Sequence, residues 1–339
     1  MMKMALSSLL LLPAVCMIAP AQEDVNARDE QGRTPLMRLV WRDTCTVAEV
    51  QALLDKGADL HARDNAGNTV LMRACRVWWY CHEVPGSMDV VRFLVEKGVD
   101  VHARNAAGQN ALEVAMCSRE TDEKVLAYFR QLGLSHTLSA ELAMAAGHDR
   151  PDEVRRLLAA GADPNYANAV ALYLCLSVGT YGMAHENEIV RMLLAAGANP
   201  NLCAESILRS AAHGASDNAI RQILAKGVDF SGVDVDKSSE WMATVWWHRE
   251  VDRLPLFDLL HASGAHVNGN TGYYAPLITQ VVQDPEQGVE ELRYLLSLGL
   301  SPLQKDKHGK TALEYARELN RTDLLPLLQE AEATSTSIK

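Results

Sequence analysis

The sequence predicts an all-α solenoid of about nine stacked helix-turn-helix units with projecting hairpin loops. Three observations predict it. The stretches Gly57–Ala74 (GADLHARDNAGNTVLMRA) and Gly98–Ala115 (GVDVHARNAAGQNALEVA) nearly repeat one another. Their common core is an apolar run closed by Gly, with an acidic or small polar residue two places on. It recurs at Asp59, Asp100, Ser135, Asp163, Asn199, Asp229, His266 and Ser301, and Asp24 opens a first copy without its preceding helix. Successive copies lie 28 to 41 residues apart, a period that belongs to stacked repeats.

Each unit reads as two helices and a loop. In the first, Thr34–Trp41 (TPLMRLVW) is a short apolar helix. Thr34 caps it, and Pro35 suits the first helical position, where no N–H partner is lost. Val47–Gly57 (VAEVQALLDKG) is the second helix, with Val47, Val50, Leu53 and Leu54 on one face. Gly57 ends it, because glycine enters the left-handed conformation cheaply. The polar stretch 58–68 that follows reads as a projecting hairpin. Neither helix hides its apolar stripe alone; the next unit covers it.

The two ends differ from the middle. The opening MMKMALSSLLLLPAVCMIAPAQ has one Lys, an apolar run and a small-residue site, as a secretory leader does. Cleavage is expected after Ala21, leaving a mature chain from Gln22. Lipidation of Cys16 is the alternative, although Val15 stands before it where a small residue is expected. The apolar run is too short for a membrane span. At the other end Glu330 and Glu332 give the last helix a polar outer face, as a terminal unit needs. The repeat domain is expected over 22–333 and a flexible polar tail over 334–339.

The 339-residue chain is 48% hydrophobic and 22% charged, with a formal net charge of −11. This composition buries a core and disfavours nucleic acid or an anionic membrane as the partner. No metalloprotease, nucleophile-elbow or phosphate-loop spelling is present, and no cysteine/histidine set has metal-ligand spacing. Accordingly no catalytic, cofactor or metal site is assigned. The enzymatic alternative, hydrolase or redox, rests on the adjacent Cys81 and His82 in an insertion over Val77–Ser87.

Six cysteines remain after the leader. Cys45 and Cys81 lie 21 and 22 residues into their units, and Cys75 and Cys117 lie 16 and 17 residues into theirs. Near-equivalent places in adjacent units suggest the disulfides Cys45–Cys81 and Cys75–Cys117, which leaves Cys175–Cys203; buried thiols are the other reading. The paired tryptophans divide similarly, because neighbours along a helix face different ways. Trp78 and Trp246 are expected to pack inward, and Trp79 and Trp247 to meet a partner.

The repeated residues resemble the ankyrin repeat. Its pattern D-x-x-G-x-T-P-L-H-x-A is met by Asp29, Gly32, Thr34, Pro35 and Leu36 in the first unit, and by Asp64, Gly67, Thr69, Leu71 and Ala74 in the second. Gly108, Ala111, Leu112 and Ala115 meet it in the third, and Asp306, Gly309, Thr311, Leu313 and Ala316 in the ninth. The His after Leu is replaced by Met37, Met72, Glu113 and Glu314, and the fifth and sixth units lose the Asp-x-x-Gly turn. His61 and His102 stand where the family usually has Asn. The resemblance implies a protein-binding scaffold whose loop tips form the recognition face. Those tips are Arg28, Asp29, Arg33, Arg63, Asp64, Asn68, Arg104, Asn105 and Gln109; solvation is the plainer reading of the same residues. The expected partner is an envelope or extracellular protein, and the third reading is a structural or assembly role in the envelope.

Overall fold

The computed structural model describes residues 24–42, 44–75, 87–117, 123–176, 184–247, 254–269 and 275–336. Among these residues stand eighteen α-helices, two to a unit. The first three units are α1 (Pro35–Leu39) with α2 (Val47–Asp55), α3 (Val70–Ala74) with α4 (Ser87–Glu96), and α5 (Ala111–Met116) with α6 (Glu123–Gln131). The next three are α7 (Leu138–Gly147) with α8 (Pro151–Ala159), α9 (Tyr166–Leu176) with α10 (Glu186–Ala195), and α11 (Ala204–Ala212) with α12 (Asp217–Leu224). The last three are α13 (Val235–Trp247) with α14 (Leu254–Ala262), α15 (Leu277–Gln283) with α16 (Val289–Ser297), and α17 (Ala312–Glu318) with α18 (Leu325–Thr336). No strand occurs among the described residues.

Packing follows chain order. Within all nine units the two helices touch. First helices pack on first helices without a break from α1 through α13, and again from α15 to α17. Second helices do likewise from α2 through α6, from α8 through α14, and from α16 to α18. Between the seventh and eighth units the link is aromatic and polar. Trp246 of α13 stacks on Tyr294 of α16 at 5.8 Å between centroids, and Trp247 Nε1 donates to Gln280 Oε1 of α15 at 2.6 Å.

Local chemistry explains the helix boundaries. The Thr34, Thr69, Asn110, Thr137 and Thr311 side chains accept from the third backbone N–H of their helices, satisfying a group that has no intrahelical partner. Second helices end at glycine with positive φ, as at Gly57 (89°) and Gly161 (89°). The first helices bury small and branched residues; Leu36, Leu71, Leu112, Leu142, Leu172 and Leu208 are 0% exposed. Truncating one of these leucines to Ala costs about 3 kcal/mol of transfer and cavity energy. The buried apolar side chains form two bodies that meet on α7, where Ala140 belongs to the first and Leu142 to the second.

The shortened fifth and sixth units behave as their spelling predicts. The sixth replaces its finger with a 3₁₀ turn, Pro200–Cys203. The fifth enters α9 through Ala167, Asn168 and Ala169, all at φ between 50° and 61°. Each left-handed non-glycine costs roughly 1–2 kcal/mol, which the fully buried Ala169 and Leu172 beside it help to offset. At the C-terminus α18 runs to Thr336, so the helix continues past Ala333, where the polar tail was expected to begin. The leader, 1–21, lies outside the described residues.

Candidate protein-interaction surface

The finger of the first unit is a closed turn. Asp29 Oδ1 accepts from the Gln31 and Arg33 N–H groups, and Gly32 at φ 74° completes the reversal. A Cβ on Gly32 would stand 2.2 Å from Asn65 Oδ1, so the next finger also requires glycine here. Asp64, Asn105 and Asp306 build the same turn in the second, third and ninth units. Adjacent fingers then join through the backbone: Asn65 N–H donates to Gln31 O at 3.0 Å, and Ala106 N–H to Ala66 O at 2.9 Å.

Side chains reinforce that seam. Arg28 Nη1 donates to Gly32 O at 3.1 Å and to Arg63 O at 2.5 Å. Arg63 Nη1 repeats the arrangement one unit on, with Gly67 O at 3.1 Å and Arg104 O at 2.7 Å. Arg104 Nη1 binds Gly108 O and reaches Glu113 Oε2 at 3.2 Å. Arg28 and Arg63 are therefore rungs of a ladder between fingers, while Arg104 closes its own turn and reaches Glu113 of its own unit.

Several residues expected at the tips as partner contacts are instead interior. Asp64 is 6% exposed, Asn68 7% and Gln109 8%. Asp64 also forms an ion pair with Arg73 of α3, whose Nε lies 2.8 Å away, and its side chain is wholly covered. Asn68 donates to Asp64, and Asn105 Nδ2 donates to Asn68 and Gln109. Asp29 and Arg33 pair with each other at 2.8 Å. Burial opposes ionisation of Asp29, but bonds from Arg33 and Gln31 outweigh it and hold the carboxyl below the usual carboxylate range. The fingers thus spend many of their polar groups on one another, and Arg28, Arg63 and Arg104 stay exposed together with Glu30, Gln31 and Asn65.

Two further devices were not foreseen. Asn26, Asn165 and Asn268 each clip the next unit: Nδ2 donates to the helix-ending Gly57, Gly197 or Gly299 carbonyl, and Oδ1 accepts from Asp59, Asn199 or Ser301 N–H. Asn201 makes the second of these bonds, to Asp229 N–H. The signal was in the sequence, as Asn two residues beyond the repeated acidic position. The other device is Glu113, 0% exposed, where the pattern has His. Its Oε1 accepts from Thr137 N–H at 3.1 Å and its Oε2 from Asn110 N–H at 3.1 Å, so one carboxylate joins the third unit to the fourth.

These turns, caps and clips repeat with the period of the sequence. A family model described as ankyrin repeats, in three copies, matches residues 3–105. Over that stretch the chain is similar to ankyrin repeats, and its all-helical stack is that of an ankyrin-repeat solenoid. No curated protein matches it. Ankyrin repeats generally mediate protein–protein interaction, and the family is generally non-enzymatic.

Among the described residues the stack forms no disulfide, neither the expected Cys75–Cys117 nor the expected Cys175–Cys203. Cys75 ends α3 as a thiol, with Sγ 3.0 Å from Leu71 O, and Gln109 Nε2 donates to Cys117 Sγ at 3.4 Å. Cys175 Sγ donates to Leu172 O at 3.1 Å, and Cys45 and Cys203 are likewise thiols. Equal distance along a unit leaves the residues a helix diameter apart, roughly 8–10 Å, whereas a disulfide needs Cα atoms about 4.4–6.8 Å apart. Burial pushes the thiols up, Cys45 to about 11 and Cys203 to about 12. Cys81, His82 and the insertion around them lie outside the described residues.

Two described tryptophans, Trp246 and Trp247, link the seventh unit to the eighth. Trp246 is 7% exposed, as expected, between Phe257 and Tyr294. Trp247 is half-buried, and its indole N–H donates to Gln280 Oε1 of the next unit. Trp78 and Trp79 lie outside the described residues. Among the described residues no helix is long and apolar enough to cross a membrane, and no group of His, Cys, Asp and Glu is arranged to hold a metal ion.

Proposed function

We infer that this protein is a non-enzymatic scaffold that works outside the cytoplasm. It grips an envelope or extracellular protein along the flank formed by its fingers and first helices. The observation that carries this reading is the set of cross-unit clips, Arg28 to Arg63 to Arg104 and Asn26, Asn165 and Asn268 to their neighbours. A surface held in this way is already ordered before it binds, so association loses little conformational freedom. Exposed Arg38 on α1 and Arg42 after it lie on that flank, beside Trp41, over whose ring Arg33 sits at 5.4 Å.

Export rests on the sequence of the leader alone. Mass determination of the exported chain is expected to place Gln22 first. Binding is tested by cross-linking the chain in intact cells and comparing it with Arg38→Glu/Arg42→Glu. A discrete cross-linked species that weakens in the variant supports the scaffold. Absence of any cross-linked partner, with purified chain that turns over a substrate, replaces it with the enzymatic reading.

A further inference from the structure

Six large apolar side chains stand well exposed among the described residues, and three of them lie at or just before the start of a first helix. Leu138 is the first residue of α7, Leu202 lies in the 3₁₀ turn leading into α11, and Val235 is the first residue of α13; they are 45%, 44% and 45% exposed. In the second, third and ninth units, which have a full finger, the first residue of the first helix is covered: Val70 and Ala111 are 1% exposed and Ala312 is 0%. The short links into α7, α11 and α13 leave Leu138, Leu202 and Val235 uncovered there.

Leu202 and Val235 flank a single cross-unit contact. Glu205 of α11 pairs with Lys237 of α13 at 3.1 Å. Leu202 precedes the glutamate by three residues and Val235 precedes the lysine by two, so the two aliphatics sit on adjacent units at one edge. The charge beside them is mostly negative. Asp229, Asp234, Asp236 and Glu240 are all exposed, and Lys237, already tied to Glu205, is the cation between them. Asp229 is held as a carboxylate by the Ser231 N–H at 2.9 Å.

We propose that the entrance of α11 and α13 is a docking surface for a cationic protein segment carrying aliphatic side chains. The inference rests on the scaffold reading above and names the chemistry of the partner. The exposed carboxylates draw a Lys- or Arg-rich segment in and repel nucleic acid, which shares their sign. Leu202 and Val235 then bury the aliphatic side chains that accompany the cations, and the carboxylates on the rim set the salt dependence.

The test uses the full chain and a labelled peptide of Lys and Leu with Leu at helical spacing, against a Glu/Leu peptide of the same pattern. Fluorescence anisotropy is expected to show the Lys/Leu peptide binding at least about tenfold more tightly. Leu202→Ser/Val235→Ser is expected to weaken it about fivefold or more with the melting curve unchanged, since both side chains are already exposed. Asp234→Asn/Glu240→Gln is expected to weaken it and flatten its salt dependence; Asn keeps the bond to Lys237 N–H that Asp234 makes. Leu319→Ser, an exposed apolar residue in the ninth unit, is the control and leaves binding unchanged. Equal binding by wild type and the Leu202/Val235 variant overturns the docking surface. Panning a random peptide library on the chain separates the two levels. Enriched peptides indifferent to the Leu202/Val235 variant overturn the surface and leave the scaffold standing, whereas no enrichment overturns both.

Discussion

Arg63 holds two fingers with one nitrogen: its Nη1 lies 3.1 Å from Gly67 O in its own turn and 2.7 Å from Arg104 O in the next. Charged donors make the stronger protein hydrogen bonds, although exposure to solvent reduces the net gain. Arg63→Ala is therefore expected to destabilise the chain by about 1–2 kcal/mol. Arg63→Lys is expected to recover little, because an ammonium on a flexible stem does not reproduce the planar fork. Urea unfolding of the three proteins checks this. Wild-type stability in Arg63→Ala would remove the ladder from the account.

Asp29 and Asp64 occupy the same place in successive fingers but differ in cover. The Asp64 side chain is wholly buried against Arg73, whereas that of Asp29 keeps 20% of its surface. Removing one partner of a buried pair strands the other charge, at about 3–5 kcal/mol. An exposed turn carboxylate is worth about 1 kcal/mol. Asp64→Ala is thus expected to cost at least twice what Asp29→Ala costs, measured by denaturant midpoints. Equal losses would show that the turn bonds alone matter.

Acid acts on the same turns. Folding lowers the Glu49 and Glu314 carboxyls below the usual 4.5 through the capping N–H groups of Thr46 and Thr311. Asp306 is held below 3.8, where bonds from Tyr315, Lys310 and His308 outweigh burial. A carboxyl depressed by folding contributes stability that is complete above its unfolded value and is withdrawn as pH falls through its folded value. The melting temperature is expected to hold from neutrality down to about pH 5 and to fall steeply below about pH 4. A melting temperature that rises on acidification contradicts this sign.

The thiols should be silent in the folded chain. Burial pushes Cys45 to about 11 and Cys203 to about 12, and it raises Cys75 and Cys175 further. Only the thiolate reacts with alkylating reagents. Labelling at pH 8 is expected to leave these cysteines unmodified in the native chain and to modify all of them in denaturant. The thiol count in denaturant should be the same with and without reductant. A lower count without reductant would establish a disulfide.

What was legible in the sequence was local. Thr34 before Pro35, and Gly57 after a run of leucines, define helix ends through contacts within a few residues, so the structure returns them as read. The period fixed the order of packing, because a stripe such as Leu71 and Leu112 has nowhere else to go. What the sequence hid depends on neighbours across a seam. Asp29 and Asp64 are spelled alike, yet only Asp64 is sealed, since Arg73 reaches it from α3. Cys75 and Cys117 matched in register while their side chains turned to their own units. The bond from the Trp247 N–H to Gln280 likewise crosses to the next unit. The acidic, aliphatic edge at Leu202 and Val235 was invisible because it arises from the short links into α11 and α13.

The serial stack is the premise of every statement above, and small-angle X-ray scattering of the mature chain tests it most directly. Nine units at helix-packing distance span roughly 80 Å, which gives a radius of gyration of about 25 Å or more and a long-tailed distance distribution. A radius of about 20 Å with a symmetric distribution, the value for a compact globule of this length, would contradict it.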